Sequence, residues 1–314
     1  MRTGSMAGLL CCVVLVSVCR VPLVHSDELS SQDSKRDLVF LHAVVQNKEG
    51  AFAVGLNHSF FTVKSRDETE DIAYFSSQPS ATSIVLLIDV SGSMKYVMQS
   101  WLRPALDGLA TFLQANKGTN EYLLVFFAAE PTVAVDWTTD TARVLEALNK
   151  SATKRLMGTA LYDSCQMAIE GLSRRDSPRR VIILVTDGEE NASRTENSKI
   201  KEALKKTDIL VYSVSRRGIM DSLSSYAHTI LNEFSIITGG AAFVTSRPSE
   251  ISGAFEGIAS QLQHQYRIGF YPRTLDTKWH PLEVSVTLPP KDSSSKPQRL
   301  FVHTRQGYYA TRSH

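Results

Sequence analysis

Five short runs of this chain are apolar almost throughout: Ile84–Ile88, Tyr122–Ala128, Val181–Val185, Ile209–Val214 and Ala241–Val244. Between and after them, apolar positions recur at helical spacing in Val97–Leu113, Thr141–Leu148, Leu161–Leu172, Lys199–Leu204, Leu223–Ile237 and Ile251–Leu262. Strands that do not alternate suit a sheet whose two faces are both covered by helices. The succession therefore predicts an α/β fold with a doubly wound, mostly parallel sheet. Pro104 falls inside the first helical pattern, where a proline starts a new segment or kinks the old one.

The pattern differs on either side of this block. Before it, Leu38–Val45, Ala51–Leu56 and Phe60–Val63 read as strands, with NKEG as the turn between the first two. After it come Tyr266–Tyr271, the alternating run Leu282–Leu288, and Leu300–His303 running on to Tyr309, with PPKDSSSKPQ as a hairpin loop. Each group is too small to fold alone. The two are expected to pair into a small β-sandwich-like subdomain beside the α/β block. The predicted layout is a signal peptide at 1–26, an N-terminal linker and β segment at 27–81, the α/β domain at 82–264, and a C-terminal β segment at 265–314.

The first 26 residues have the organisation of an export signal. Arg2 precedes the 13-residue apolar stretch Ala7–Cys19, and Val24 and Ser26 stand at the −3 and −1 positions of a cleavage site. That stretch is short for a bilayer span, and no later run approaches the roughly 18 apolar residues a span needs, so the mature chain is expected to have no transmembrane segment. Removing Arg2 and Arg20 leaves 32 basic and 32 acidic residues. With no basic stripe and no interleaved aromatics, nucleic-acid binding has no support. Three of the four cysteines lie in the signal, leaving Cys165 inside an apolar-periodic stretch as a small core residue.

Three pieces of polar sequence follow the apolar runs or precede a helix. They are Asp89-Val90-Ser91-Gly92-Ser93 after the first strand, Gly158-Thr159-Ala160 before the helix at Leu161, and Thr186-Asp187-Gly188 after VIILV. Taken singly, each has a structural reading: Asp89 or Thr159 as a helix N-cap, TDG as a turn. Taken together they fall at one edge of a parallel sheet, where the loops of such folds converge on ligands. Two carboxylates (Asp89, Asp187) and three hydroxyls (Ser91, Ser93, Thr159), with no His or thiol, make an all-oxygen site. Such a set favours a hard cation, Mg2+ first, with Mn2+ or Ca2+ as alternatives. Two carboxylates only balance a divalent charge, so the ion stays electrophilic and an Asp or Glu from a partner could complete its shell. Gly92 is expected to permit a tight turn between the two serines. Glu189 and Glu190 read as a solvated acidic turn at the rim, and the sequons at Asn57, Asn149 and Asn191 as incidental.

The segments DVSGSM, GTALYD and VTDGEEN resemble the metal-ion-dependent adhesion site of the von Willebrand factor A (VWA) domain, over about residues 82 to 264. By that resemblance Ser91, Ser93 and Thr159 are direct or near-direct ligands, while Asp89 and Asp187 act largely through waters. Lys95 and Tyr96 stand where related domains often carry acids for a second adjacent metal. The flanks HAVVQNKEGAFAVGLNHSFFTVK, YRIGFYP and RQGYYA are similar to those of VWFA-related proteins from acidobacteria, a family defined by layout and not by activity. The five-residue metal set and the export signal together lead to the expectation of an exported, non-enzymatic binding module, periplasmic, secreted or held at the cell envelope, that captures an acidic residue of a protein ligand. One rival is a metal-dependent phosphatase-like hydrolase, which would want an acid where Ser91 stands; Lys154 and Arg155 are its nearest bases before Thr159. The other is a scaffolding protein with an idle metal site.

Overall fold

A computed structural model of the chain describes residues 38–116, 118, 120–150, 157–217, 221–288 and 300–310, with backbone alone at 221–226. The expected signal peptide, the stretch before Leu38 and the PPKDSSSKPQ loop lie outside these residues. In chain order the first strands are β1 (Val39–Asn47), β2 (Phe61–Ser65), β3 (Glu68–Glu70), β4 (Ile72–Ser76) and β5 (Thr82–Asp89). Helices α1 (Gly92–Tyr96) and α2 (Arg103–Ala115) lead to β6 (Glu121–Phe127), β7 (Pro131–Thr138), α3 (Thr141–Lys150) and α4 (Leu161–Ser173). Then come β8 (Arg179–Thr186), α5 (Asn197–Lys205), β9 (Leu210–Arg216), α6 (Asp221–Thr238), β10 (Ala242–Thr245) and α7 (Pro248–Gln263). The last strands are β11 (Gln265–Phe270), β12 (Trp279–Val286), β13 (Leu300–His303) and β14 (Gly307–Tyr309).

The central sheet has the order β10-β9-β8-β5-β6-β7, parallel except for the edge pair β6–β7. The expected doubly wound α/β fold is therefore present. Strand β5 shows why its sequence does not alternate. All eight of its residues are buried. Ile84, Leu86 and Ile88 enter one core with Leu109, Phe112, Phe255 and Ile258, while Val85 and Leu87 enter the other with Leu161, Cys165, Ile200 and Phe234. Truncating a buried leucine such as Leu86 to alanine costs about 2–5 kcal/mol in cores of this kind.

Two further four-stranded sheets, β13-β1-β11-β4 and β14-β12-β2-β3, share a third core of Leu41, Ala43, Phe61, Val63, Tyr266, Ile268 and Val284. N-terminal strands pair with C-terminal ones in both: β1 with β11 and β13, and β2 with β12. This sandwich meets the α/β layer at the starting ends of the parallel strands. Arg179, which opens β8, donates to Thr82 Oγ1 at 2.9 Å, to Gln265 Oε1 at 3.3 Å and to the Leu262 carbonyl.

Several local expectations are corrected. Ala51–Leu56 forms no strand; only a bridge joins Phe52 to Gln46. Gly50 and Gly55 carry φ of +82° and +71° around it, and the Leu56 amide donates to Tyr266 Oη at 3.0 Å instead of to a ladder. Val97–Leu113 is not one helix: α1 ends at Tyr96, a π-helical turn covers Met98–Leu102, and α2 starts with Pro104 in its first turn. Leu300 to Tyr309 is two strands in different sheets. The chain breaks at buried Arg305, whose guanidinium donates to the Gly307 carbonyl at 2.6 Å and the Lys205 carbonyl at 2.8 Å.

Candidate metal centre

Strands β5 and β8 are parallel neighbours in which Ile88 faces Val185, so Asp89 and Thr186 end their strands side by side. The Asp89 carboxylate is fully buried. Its Oδ1 accepts the Ser91 amide at 2.9 Å, and its Oδ2 accepts the Thr186 hydroxyl at 2.6 Å. Thr186 Oγ1 in turn accepts the Gly188 amide at 2.9 Å, which turns the chain carrying Asp187 back over the strand end. Asp187 is 7 % exposed, so two acids lie together in nearly dry surroundings.

Ser91 has extended backbone and caps α1; its hydroxyl lies 3.0 Å from that of Ser93. Gly92 is the first residue of α1 and is not among the glycines with positive φ, so the turn between the serines does not depend on left-handed backbone there. Gly158 does: its φ is +81°, and a Cβ would meet Ala129 Cα at 3.3 Å. Gly188 likewise has φ +82°, with Ala227 Cβ 2.8 Å from where its own would stand.

Thr159 is buried and joined to the loop that follows Asp187. Its amide donates to Asn191 Oδ1 at 2.9 Å, and its carbonyl accepts the Asn191 and Ala192 amides at 3.0 and 3.2 Å. The structure thus links Asp89 to Ser91, Ser91 to Ser93, Asp89 to the neighbour of Asp187, and Thr159 to the Asp187 loop. Glu190 is not a solvated rim residue. Its carboxylate accepts the amides of Ala192, Ser193 and Tyr162 and the Ser193 hydroxyl, pinning that loop to the start of α4. Glu189 is exposed. Thr186, Glu190 and Asn191 are the residues that the sequence reading does not assign to the site. Their signal is their place inside VTDGEEN, next to or just after Asp187.

Burial, and then the charge of Asp187, hold the Asp89 carboxyl above the ordinary carboxylate range, against the hydrogen bonds from Ser91 and Thr186. No basic group is among the strongest influences on it. A buried carboxylate pair without a counter-charge is costly, and a divalent cation would supply that charge. Among the described residues no three His, Cys, Asp or Glu come together as a metal site. A cation here would therefore rest on two carboxylates and hydroxyls, the donor set that hard cations take. Lys154 and Arg155 lie outside the described residues.

Residues 84–190 match the family model of the von Willebrand factor type A domain. No curated protein matches the chain. Among solved structures, a von Willebrand factor type A protein from Catenulispora acidiphila superposes with a TM-score of 0.51 at 12 % identity, over 87 % of this chain and 75 % of that one. Proximal thread matrix protein 1 from the mussel byssus, with a zinc-occupied MIDAS motif, gives a TM-score of 0.53 at 17 % identity, over 64 % of this chain and 50 % of that one. At these identities the likeness is one of fold.

Proposed function

We propose that this chain, whose residues 84–190 match the von Willebrand factor type A domain, is an exported, non-enzymatic protein-binding module. In this reading a divalent cation sits on Asp89, Ser91, Ser93, Thr159 and Asp187 and takes a carboxylate from a partner's Asp or Glu. The observation that supports it is the buried carboxyl pair Asp89 and Asp187, with the Ser91 hydroxyl close to Asp89 and 3.0 Å from that of Ser93. When bound, the metal supplies an electrophilic position open to one outside ligand. The chain's own residues do the rest. Thr186 and the Ser91 amide fix the Asp89 carboxylate, Asn191 fixes Thr159, and Glu190 keeps the third loop in place.

The surface around the loops suits a protein ligand. Tyr96, three residues after Ser93, is 84 % exposed, and Met157, two residues before Thr159, is 76 % exposed. Aromatic and thioether side chains of this kind are enriched at protein interfaces. Export rests on the signal-like N-terminus, and none of the described helices is long and apolar enough to cross a membrane. Mg2+ is the first choice, with Mn2+ and Ca2+ next; the zinc of the mussel protein's MIDAS adds Zn2+ to the set to be tried.

Calorimetric titration of the metal-free protein with each cation tests the reading. Saturable Mg2+ binding at one site, lost in Asp89→Ala and in Asp187→Ala, is the expected result. Binding that survives both substitutions would place the metal elsewhere.

A further inference from the structure

The sheet β14-β12-β2-β3 delivers one polar residue per strand to the same end of the sandwich core. They are Tyr308, His280, Ser65 and Glu70, each no more than 5 % exposed. Register explains the convergence: Tyr308 pairs with His280, and Glu70 pairs with Val63, which shares a face with Ser65. On that face Val63 and Val284 belong to the apolar core, so the core ends in a polar wall here. The wall borders a cavity of about 200 Å³, lined by these four residues together with Arg66, Asp67, Glu68 and Thr274. That is room for roughly six or seven waters, or for a small organic group.

The polar groups in this cavity are not used up by one another. Glu70 Oε2 makes no hydrogen bond although its side chain is 2 % exposed. The nearest base, Arg273, has its Nε 3.9 Å away, and that nitrogen donates to the Thr69 carbonyl at 3.0 Å. The Tyr308 hydroxyl, with one hydrogen to give, stands 3.3 Å from Ser65 Oγ and 3.5 Å from Glu70 Oε1, both long for a hydroxyl donor. His280 is fixed by Asp276 Oδ1, 2.7 Å from its Nε2, and its ring stacks on Tyr308 with centroids 5.3 Å apart. A buried carboxylate oxygen without a donor is expensive. Three of the lining residues, Asp67, Glu68 and Glu70, are acidic, against Arg66 and the imidazole of His280, so a visitor carrying positive charge and N–H donors is favoured.

We propose that this cavity is a second binding site, distinct from the metal centre, that takes a primary alkylammonium group. The Glu70 carboxylate accepts its charge-assisted hydrogen bond, Ser65 and the Tyr308 hydroxyl offer further oxygens, and the edge of the stacked His280 and Tyr308 pair borders the alkyl stem. A free amine and the lysine side chain of another protein present the same chemistry. Burial holds the Glu70 carboxyl above its ordinary range, against the Arg273 backbone and charge and the Tyr308 hydroxyl, which act in the opposite direction.

The test is an NMR titration of the full chain with n-butylammonium chloride, with n-butanol as the uncharged control. A blocked Gly-Lys-Gly peptide and its norleucine counterpart run in parallel. Saturable millimolar shifts at the His280 ring with butylammonium but not butanol are expected, weakened by about tenfold or more in Glu70→Gln and also in Tyr308→Phe. Binding of the lysine peptide as well points to a protein side chain as the natural occupant; binding of the free amine alone points to a small molecule. Equal shifts with butanol, unchanged affinity in a folded Glu70→Gln, or no saturation at all would overturn the proposal. Since neither probe contacts the metal centre, these outcomes are independent of Mg2+ binding.

Discussion

The hydroxyl of Thr186 donates to Asp89 Oδ2 at 2.6 Å, joining the ends of two adjacent parallel strands 97 positions apart in sequence. Both residues are fully buried. Thr186 fixes which way the carboxylate of Asp89 points without itself being placed among the cation's ligands. Outer partners of this kind typically change metal affinity by about 10- to 100-fold when removed.

Thr186→Val keeps the shape of the side chain and removes the donor. The expected result is Mg2+ affinity at least about tenfold weaker by calorimetry, and a loss of about 1–3 kcal/mol in denaturant unfolding of the metal-free protein. Thr186→Ser, which keeps the hydroxyl, should recover most of both. A variant that loses stability but binds Mg2+ normally would show that Thr186 only packs.

The same buried charges make stability depend on the cation. Mg2+ at about 100 times its dissociation constant should stabilise the folded chain by about 2.7 kcal/mol, seen as a rise in Tm that EDTA reverses. Asp89→Asn removes one of the two like charges. It should unfold at an equal or higher temperature than the wild type in EDTA, yet gain nothing from Mg2+. A wild-type Tm indifferent to Mg2+, Mn2+, Ca2+ and Zn2+ alike would contradict the cation reading.

The frame of the site is legible in the sequence because buried strands announce themselves. Ile84–Ile88 and Val181–Val185 are apolar throughout, so the polar residues just after them must stand at strand ends. Strand β7 is not legible on the same ground: at the sheet edge only Val135 of its eight residues is buried, and PTVAVDWT is not apolar throughout. Strand β3 consists of three residues, Glu-Thr-Glu, paired in the sheet with β2 alone. The fold of the chain onto Thr186, Glu190 and Asn191 is likewise a matter of tertiary contact. Neither a threonine before Asp187 nor an asparagine four residues after it declares its partner until the loops meet.

Cys165 offers a check on the core between β5 and α4. Burial pushes its thiol up to about 12, and the side chain is 3 % exposed. The native protein should therefore leave a thiol reagent such as DTNB unreacted at pH 8, and react fully once unfolded in guanidinium. After signal removal it is the single cysteine in the expected mature chain, so the readout is unambiguous. Rapid native labelling would mean that this core opens far more readily than its packing implies.

His42, on β1 and 4 % exposed, ties stability to pH. Burial, and then the positive charge of Arg179 with smaller contributions from Arg267 and Arg305, lowers its pKa from 6.5 to about 3, while Asp208 acts in the opposite direction. Its Nε2 has no hydrogen-bond partner, so no acceptor there stabilises a proton. Between pH 6.5 and about 3 the unfolded chain holds a proton on this histidine that the folded chain does not. Stability from this residue is thus complete above pH 6.5 and falls as the pH drops toward 3. About two pH units below the unfolded value the loss reaches about 3 kcal/mol. Urea unfolding of the wild type and His42→Leu at pH 7.5 and pH 4.5 isolates it. The raised carboxyl of Asp89 shifts stability in the opposite sense, but equally in both proteins, so it cancels from the difference. The wild type should lose about 3 kcal/mol more than His42→Leu on acidification, and equal losses in the two proteins would show that His42 takes up its proton in the folded state. Since Arg179 also reaches Gln265 at 3.3 Å and the Leu262 carbonyl, the same acidification should loosen the seam between sandwich and α/β layer first. Amide exchange at Gln265 and Tyr266, compared between the two proteins at pH 4.5, is where that loosening should be read.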